Sequence, residues 1–164
     1  MKLRIALVED DAENCRALSE LLAAEGFEPL PFENGEAAWS FIAREQVRPH
    51  AVVADVRMPG LDGLALLRRI RARFPAMPVL LVSAFADEVV WVEGLRAGAY
   101  DVFPKPIQGA SLVRALREAV GAGQPERLVE ERAPDRLLEK VHNPLPPDNT
   151  WAPAGTQGGA EREE

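Results

Sequence analysis

With 164 residues, 47% hydrophobic and 27% charged, the chain has room for one well-buried core and little for a second. A formal charge of −7 argues against the basic footprint of a nucleic-acid binder, and no apolar run is long enough to span a bilayer. The single cysteine, Cys15, rules out an internal disulfide framework, and the apolar run after Arg4 stops at Glu9, too early for a signal peptide; a cytoplasmic protein is expected.

Taken in order, residues 3–8 form an apolar run broken only by Arg4, as in a buried strand. Residues 12–25 place Leu18, Leu21 and Leu22 at helical spacing and end at Gly26, with Asp11 as the helix cap. Cys15 shares that spacing and reads as a buried structural thiol. Residues 27–32 are a proline-interrupted strand suited to a sheet edge. Asn34-Gly35 opens a second helix through Ala38, Phe41 and Ile42. Residues 51–54 are wholly apolar, as in a strand covered on both faces. Met58-Pro59-Gly60 and Asp62-Gly63 are loop chemistry. A third helix then turns Leu67, Ile70 and Phe74 inward and Arg68, Arg69, Arg71 and Arg73 toward water. Residues 78–82 are another buried strand, 88–97 a fourth helix and 100–104 a last short strand. Leu112, Leu116, Ala119 and Val120 stripe a fifth helix.

Strands alternating with helices imply right-handed crossovers, hence a five-stranded doubly wound parallel α/β domain over residues 1–121. Residues 122–164 are rich in proline and glycine and end acidic; they read as a tail, mostly disordered or loosely docked.

Four of the apolar runs end in useful polar groups: Glu9-Asp10-Asp11, Asp55, Ser83 and Lys105. In an open parallel sheet those ends share one edge, where ligands bind. Glu9, Asp10 and Asp55 suit a hard divalent cation, which needs only one or two carboxylates beside a phosphate. Lys105 is one of three lysines and lies between Pro104 and Pro106, which constrain its backbone. Neither His50 nor His142 has the neighbours of a metal ligand.

The segments Leu7-Val8-Glu9-Asp10-Asp11, Val53-Ala54-Asp55-Val56-Arg57-Met58-Pro59-Gly60-Leu61-Asp62-Gly63, Val82-Ser83-Ala84 and Gly98-Ala99-Tyr100-Asp101-Val102-Phe103-Pro104-Lys105-Pro106 resemble the receiver domain of two-component response regulators. The wording from Val56 to Ile70 is most similar to the nitrogen-regulatory, σ54-activator subfamily. The resemblance implies a flavodoxin-like strand order 2-1-3-4-5 and Mg²⁺-dependent phosphorylation. Asp55 is then the phosphoacceptor, with Asp10 a direct Mg²⁺ ligand, Glu9 acting through water and Arg57 offering its backbone carbonyl. Ser83 matches the hydroxyl that turns onto the phosphoryl group, and Lys105 the lysine that pairs with that group; the Lys105-Pro106 bond would be cis. The phosphodonor would be a histidine kinase or phosphotransfer protein, so the chain accepts phosphate rather than being an enzyme in its own right.

Two departures stand out. Where the family carries an aromatic residue three positions before the lysine, this chain has Val102, with Phe103 expected on the opposite face and Tyr100 on the same face. Phe85 follows Ser83 by two positions and is expected to shield the acyl phosphate and slow its loss. The fourth helix carries Val89, Val90, Trp91, Val92 and Leu95. With Val92 and Leu95 in the core, Val89 or Val90 and Trp91 would point outward and, with Phe85, form a surface for a downstream protein or a second copy. Output through protein contact is favoured over direct contact with nucleic acid or membrane. The alternatives are a truncated or partner-dependent transcription regulator of the σ54-activator type and an aspartyl phosphohydrolase. The latter expects a second aspartate where Arg57 stands.

Overall fold

A computed structural model describes residues 2–44, 48–84 and 88–122; the expected tail and Phe85 lie outside these described residues. Strands and helices alternate as β1 (Arg4–Val8), α1 (Ala12–Ala24), β2 (Glu28–Phe32), α2 (Gly35–Ala43), β3 (Ala51–Asp55), α3 (Gly63–Arg73), β4 (Val79–Ser83), α4 (Glu88–Arg96), β5 (Asp101–Pro104) and α5 (Gly109–Ala122). The five strands are parallel in the order β2-β1-β3-β4-β5, the doubly wound arrangement expected from the alternation. β3 and β4 are buried at every residue, which explains their unbroken apolar sequences. β2 lies at one edge and accommodates Pro29 and Pro31, which lack the N–H a central strand must donate on both sides.

The period of two along each strand divides the interior into two layers. Ala6, Val8, Val52, Ala54, Val79 and Leu81 face Ile42 of α2 and Leu66, Leu67 and Ile70 of α3. Ile5, Leu7, Val53, Leu80 and Val82 face Leu18 and Leu22 of α1 and Leu112 and Leu116 of α5. Each fully buried leucine or isoleucine adds about 2 kcal/mol of apolar burial, so the two layers clamp the sheet from both sides.

Several side chains depart from the sequence reading. Trp91 does not point outward: it is half-buried, packs with Val90 and Leu95 against the α2/α3 layer, and its Nε1 finds no partner among the described residues. Val92 is half-buried rather than a core position, whereas Val89, 71% exposed, points outward as one of the two valines expected to do so. Tyr100 packs with Phe103 in the α1/α5 layer, opposite Val102, because it precedes β5 and strand alternation does not govern it. Arg71 is not on the water-facing side of α3 but folds back, its guanidinium donating to the carbonyls of Pro75 and Met77. Burial there lowers its pKa. Cys15 is half-buried, and burial raises its thiol pKa above the usual 9.0. No helix among the described residues is long and apolar enough to cross a membrane.

Candidate functional site

The carboxyl ends of β1, β3, β4 and β5 meet at one edge of the sheet, held in register by the pairs Val8↔Ala54, Asp55↔Val82 and Ser83↔Pro104. This brings together Glu9, Asp10, Asp55, Ser83 and Lys105, the polar strand ends singled out in the sequence. Glu9, Asp55 and Ser83 are the buried polar side chains of the described residues, at 3%, 5% and 2% exposure, whereas Asp10 is exposed.

One carboxylate oxygen from each of Glu9, Asp10 and Asp55 falls within 4.8 Å of the others. Three hard oxygens at that spacing, two of them buried and one open to solvent, fit a small divalent cation that keeps part of its water shell. Lys105 leans over the same group: its Nζ donates to Asp55 Oδ2 at 2.6 Å and to Glu9 Oε2 at 3.2 Å. The remaining oxygens are held by the backbone, Asp55 Oδ1 by the Arg57 N–H at 3.0 Å and Glu9 Oε1 by the Asp11 N–H at 3.2 Å. Asp55 is thus fixed in orientation by a donor on each oxygen.

The charges are unevenly balanced. Burial, then the neighbouring Asp55, raises the Glu9 pKa above its ordinary 4.5 against the opposing pull of Lys105. For Lys105, burial works toward a lower pKa, but the bonds to Asp55 and Glu9 prevail and raise it above 10.5. The ammonium is therefore a fixed positive charge at neutral pH, as expected of a group that must attract an anion.

The loops set this geometry. The bond from Lys105 to Pro106 is cis, as the sequence motif implies. The Lys105 N–H donates to the Ser83 carbonyl at 2.7 Å and the Val56 N–H to the Val82 carbonyl at 2.9 Å, tying three strand ends together. Arg57 is exposed and lines a cavity of about 520 Å³ with Val56, Met58, Pro59 and Asp62 beside the carboxylates. Asp62-Gly63 is not simple loop: Asp62 caps α3 by accepting from the Ala65 N–H at 2.8 Å, and Gly63 is the first helical residue. A Cβ at Gly63 would lie 2.3 Å from the Asp55 carbonyl oxygen, so the helix start presses directly under the end of β3. Sequence spacing carried no sign of that contact; only the absent side chain hinted at it.

Asp11 takes the cap role expected of it, its side chain accepting from the Asn14 N–H at 3.0 Å. Asp11→Ala is expected to cost about 1 kcal/mol of stability in a urea melt while leaving metal affinity unchanged, the reverse of Asp10→Asn.

A family model for the response regulator receiver domain matches residues 5–117. The chain is 36% identical over 163 residues to the response regulator protein FleR of Pseudomonas aeruginosa, covering 96% of this chain and 34% of that protein. It is 34% identical over 121 residues to the DNA-binding transcriptional regulator NtrC of Salmonella typhimurium, covering 74% of this chain and 25% of that one, in line with the subfamily resemblance of residues 56–70. The chain therefore spans about a third or less of these relatives. A receiver domain protein from Clostridium thermocellum shares the fold with a TM-score of 0.70 at 22% identity, over 73% of this chain and 95% of that one. Strand order, polar strand ends and sequence agree: the chain belongs to the response regulator receiver domain family.

Proposed function

We propose that Asp55 accepts a phosphoryl group from a histidine kinase or phosphotransfer protein and that its phosphorylation changes which proteins the domain contacts. The observation that carries this is the buried Asp55 carboxylate, oriented by the Arg57 N–H and covered by the Lys105 ammonium. Glu9, Asp10 and Asp55, with the Arg57 backbone carbonyl, would hold Mg²⁺, which when bound supplies positive charge beside the incoming phosphoryl oxygens.

The chain's own residues do the rest. Asp55 attacks the phosphorus in line as the bond to the donor nitrogen breaks; the leaving imidazole keeps the electron pair and takes a proton from water. Lys105 lowers the repulsion between two anions during the approach and then pairs with a phosphoryl oxygen. Ser83 donates its hydroxyl to another oxygen. Both contacts exist only in the phosphorylated state, so they bias a two-state equilibrium. Water later cleaves the acyl phosphate, a slow step and not an exchange with outside substrates.

Output by protein contact is supported by the charge of −7, and a cytoplasmic location suits that role. Within α4 the contact is placed at Val89 rather than Trp91, because Val89 carries the exposure. A gel shift with DNA would separate this reading from that of a transcription regulator.

The metal requirement has a direct test. Acetyl phosphate with Mg²⁺ is expected to form the acyl phosphate, and EDTA to abolish it. Formation undiminished in EDTA would remove the metal from the proposal.

A further inference from the structure

The strongest unexplained chemistry lies at the opposite edge of the sheet, where the strands begin. Along α3, Arg68 pairs with Glu93 at 2.9 Å, Arg69 with Glu36 at 3.7 Å, and Arg71 is used on the Pro75 and Met77 carbonyls. Arg73 has no carboxylate among the described residues, and neither has Arg48 in the segment before β3. Both guanidiniums instead converge on one ring, with Cζ atoms 4.2 Å (Arg48) and 5.3 Å (Arg73) from the centre of Phe74. The dipole at the C-terminus of α3 favours basic residues in its last turn, which accounts for Arg71 and Arg73 but not for Arg48, which is outside the helix.

A third guanidinium stands behind them. Arg4 Nη2 donates to the Arg48 carbonyl at 3.2 Å, and Arg4 Nε is buried with no partner among the described residues. The Arg4 N–H donates to His50 Nδ1 at 3.0 Å, so that nitrogen accepts and the Nε2–H is left as a second class of donor. Arg48, His50, Arg73, Phe74, Met77 and Pro78 line a cavity of about 390 Å³, within the range of small-ligand sites.

We propose that this cavity binds a small carboxylate or phosphate carried on a flat apolar body. The oxyanion sits among Arg48, Arg73 and His50, and the body lies against Phe74 and Met77. An oxyanion relieves the repulsion of the two guanidiniums, whose planar forks match carboxylate and phosphate oxygens. The apolar lining favours a ligand with more than the anion alone. The site is independent of the Asp55 reading and lies at the other end of the strands.

NMR titration in EDTA tests it, with phenyl phosphate, benzoate and inorganic phosphate as probes. Saturable shifts of the His50 and Phe74 ring signals are expected with phenyl phosphate or benzoate, and weaker binding of inorganic phosphate. Arg48→Gln and Arg73→Gln are each expected to weaken binding at least tenfold, and Asp55→Asn to leave it unchanged. Arg48→Lys and Arg73→Lys, which keep the charge but lose the fork, serve if a glutamine variant fails to fold, and are expected to weaken it too. Shifts confined to the Asp55 and Lys105 signals, no saturation, or full affinity in the arginine variants would overturn the site. Inorganic phosphate binding as tightly as phenyl phosphate would overturn the flat apolar body.

Discussion

Lys105→Met is expected to lower stability in EDTA at neutral pH by about 3 kcal/mol and to slow phosphorylation from a small phosphodonor roughly a hundredfold or more. Removing one partner of a buried ion pair costs about 3–5 kcal/mol, and the lower end applies because the Lys105 side chain keeps 20% of its exposure and Glu9 can take up a proton. The pH dependence follows from the shifts. Lys105 has its pKa raised by folding, so its contribution is complete below the ordinary 10.5 and is lost as pH rises through the raised value. Glu9 also has its pKa raised, so the native state holds that proton more tightly and the variant recovers stability as pH falls toward 4.5. Urea melts should therefore show the widest gap between wild type and variant near neutral pH, narrowing on both sides. A gap absent at neutral pH would mean that Lys105 does not hold the carboxylates together.

Gly63→Ala is expected to destabilise the fold by about 3 kcal/mol although alanine is the better helix former. The propensity gain is about 1 kcal/mol. Against it, the new Cβ would sit 2.3 Å from the Asp55 carbonyl oxygen and 2.9 Å from Val56 Cα, both backbone atoms that cannot rotate away. Relief requires α3 or the end of β3 to move, and a displacement of about 1 Å at the Asp55 carboxylate is expected to slow the proposed phosphorylation roughly a hundredfold. Gly121→Ala is the control: its Cβ meets nothing within 4 Å, and the same substitution in α5 should be neutral or slightly stabilising. Equal effects at the two positions in thermal melts would rule out the close approach.

The sheet was legible because its central strands are buried on both faces and so read as unbroken apolar runs; the prolines of β2 marked the edge equally well. The site residues were legible because each stands immediately after such a run, where the topology brings strand ends together. What the sequence withheld depends on distances across the fold. Gly63 read as loop because its reason, the backbone of Asp55, lies eight residues back along the chain and meets it only in the folded structure. α4 has more apolar residues than one face needs, and helical spacing alone does not say that the fold covers Trp91. Alternation does not place Tyr100, which stands one residue before its strand begins. Arg71 read as one more solvent-facing arginine, but the turn after α3 presents carbonyls that recruit it. That Lys105 spans both Glu9 and Asp55 needed the actual register of β1, β3 and β5.

Phosphorylation at Asp55 is read most directly by intact-mass spectrometry after incubation with a small-molecule phosphodonor and Mg²⁺. Wild type is expected to gain the mass of a single phosphoryl group and Asp55→Asn to gain none. An equal gain in Asp55→Asn would place the phosphate elsewhere and contradict the assignment of Asp55.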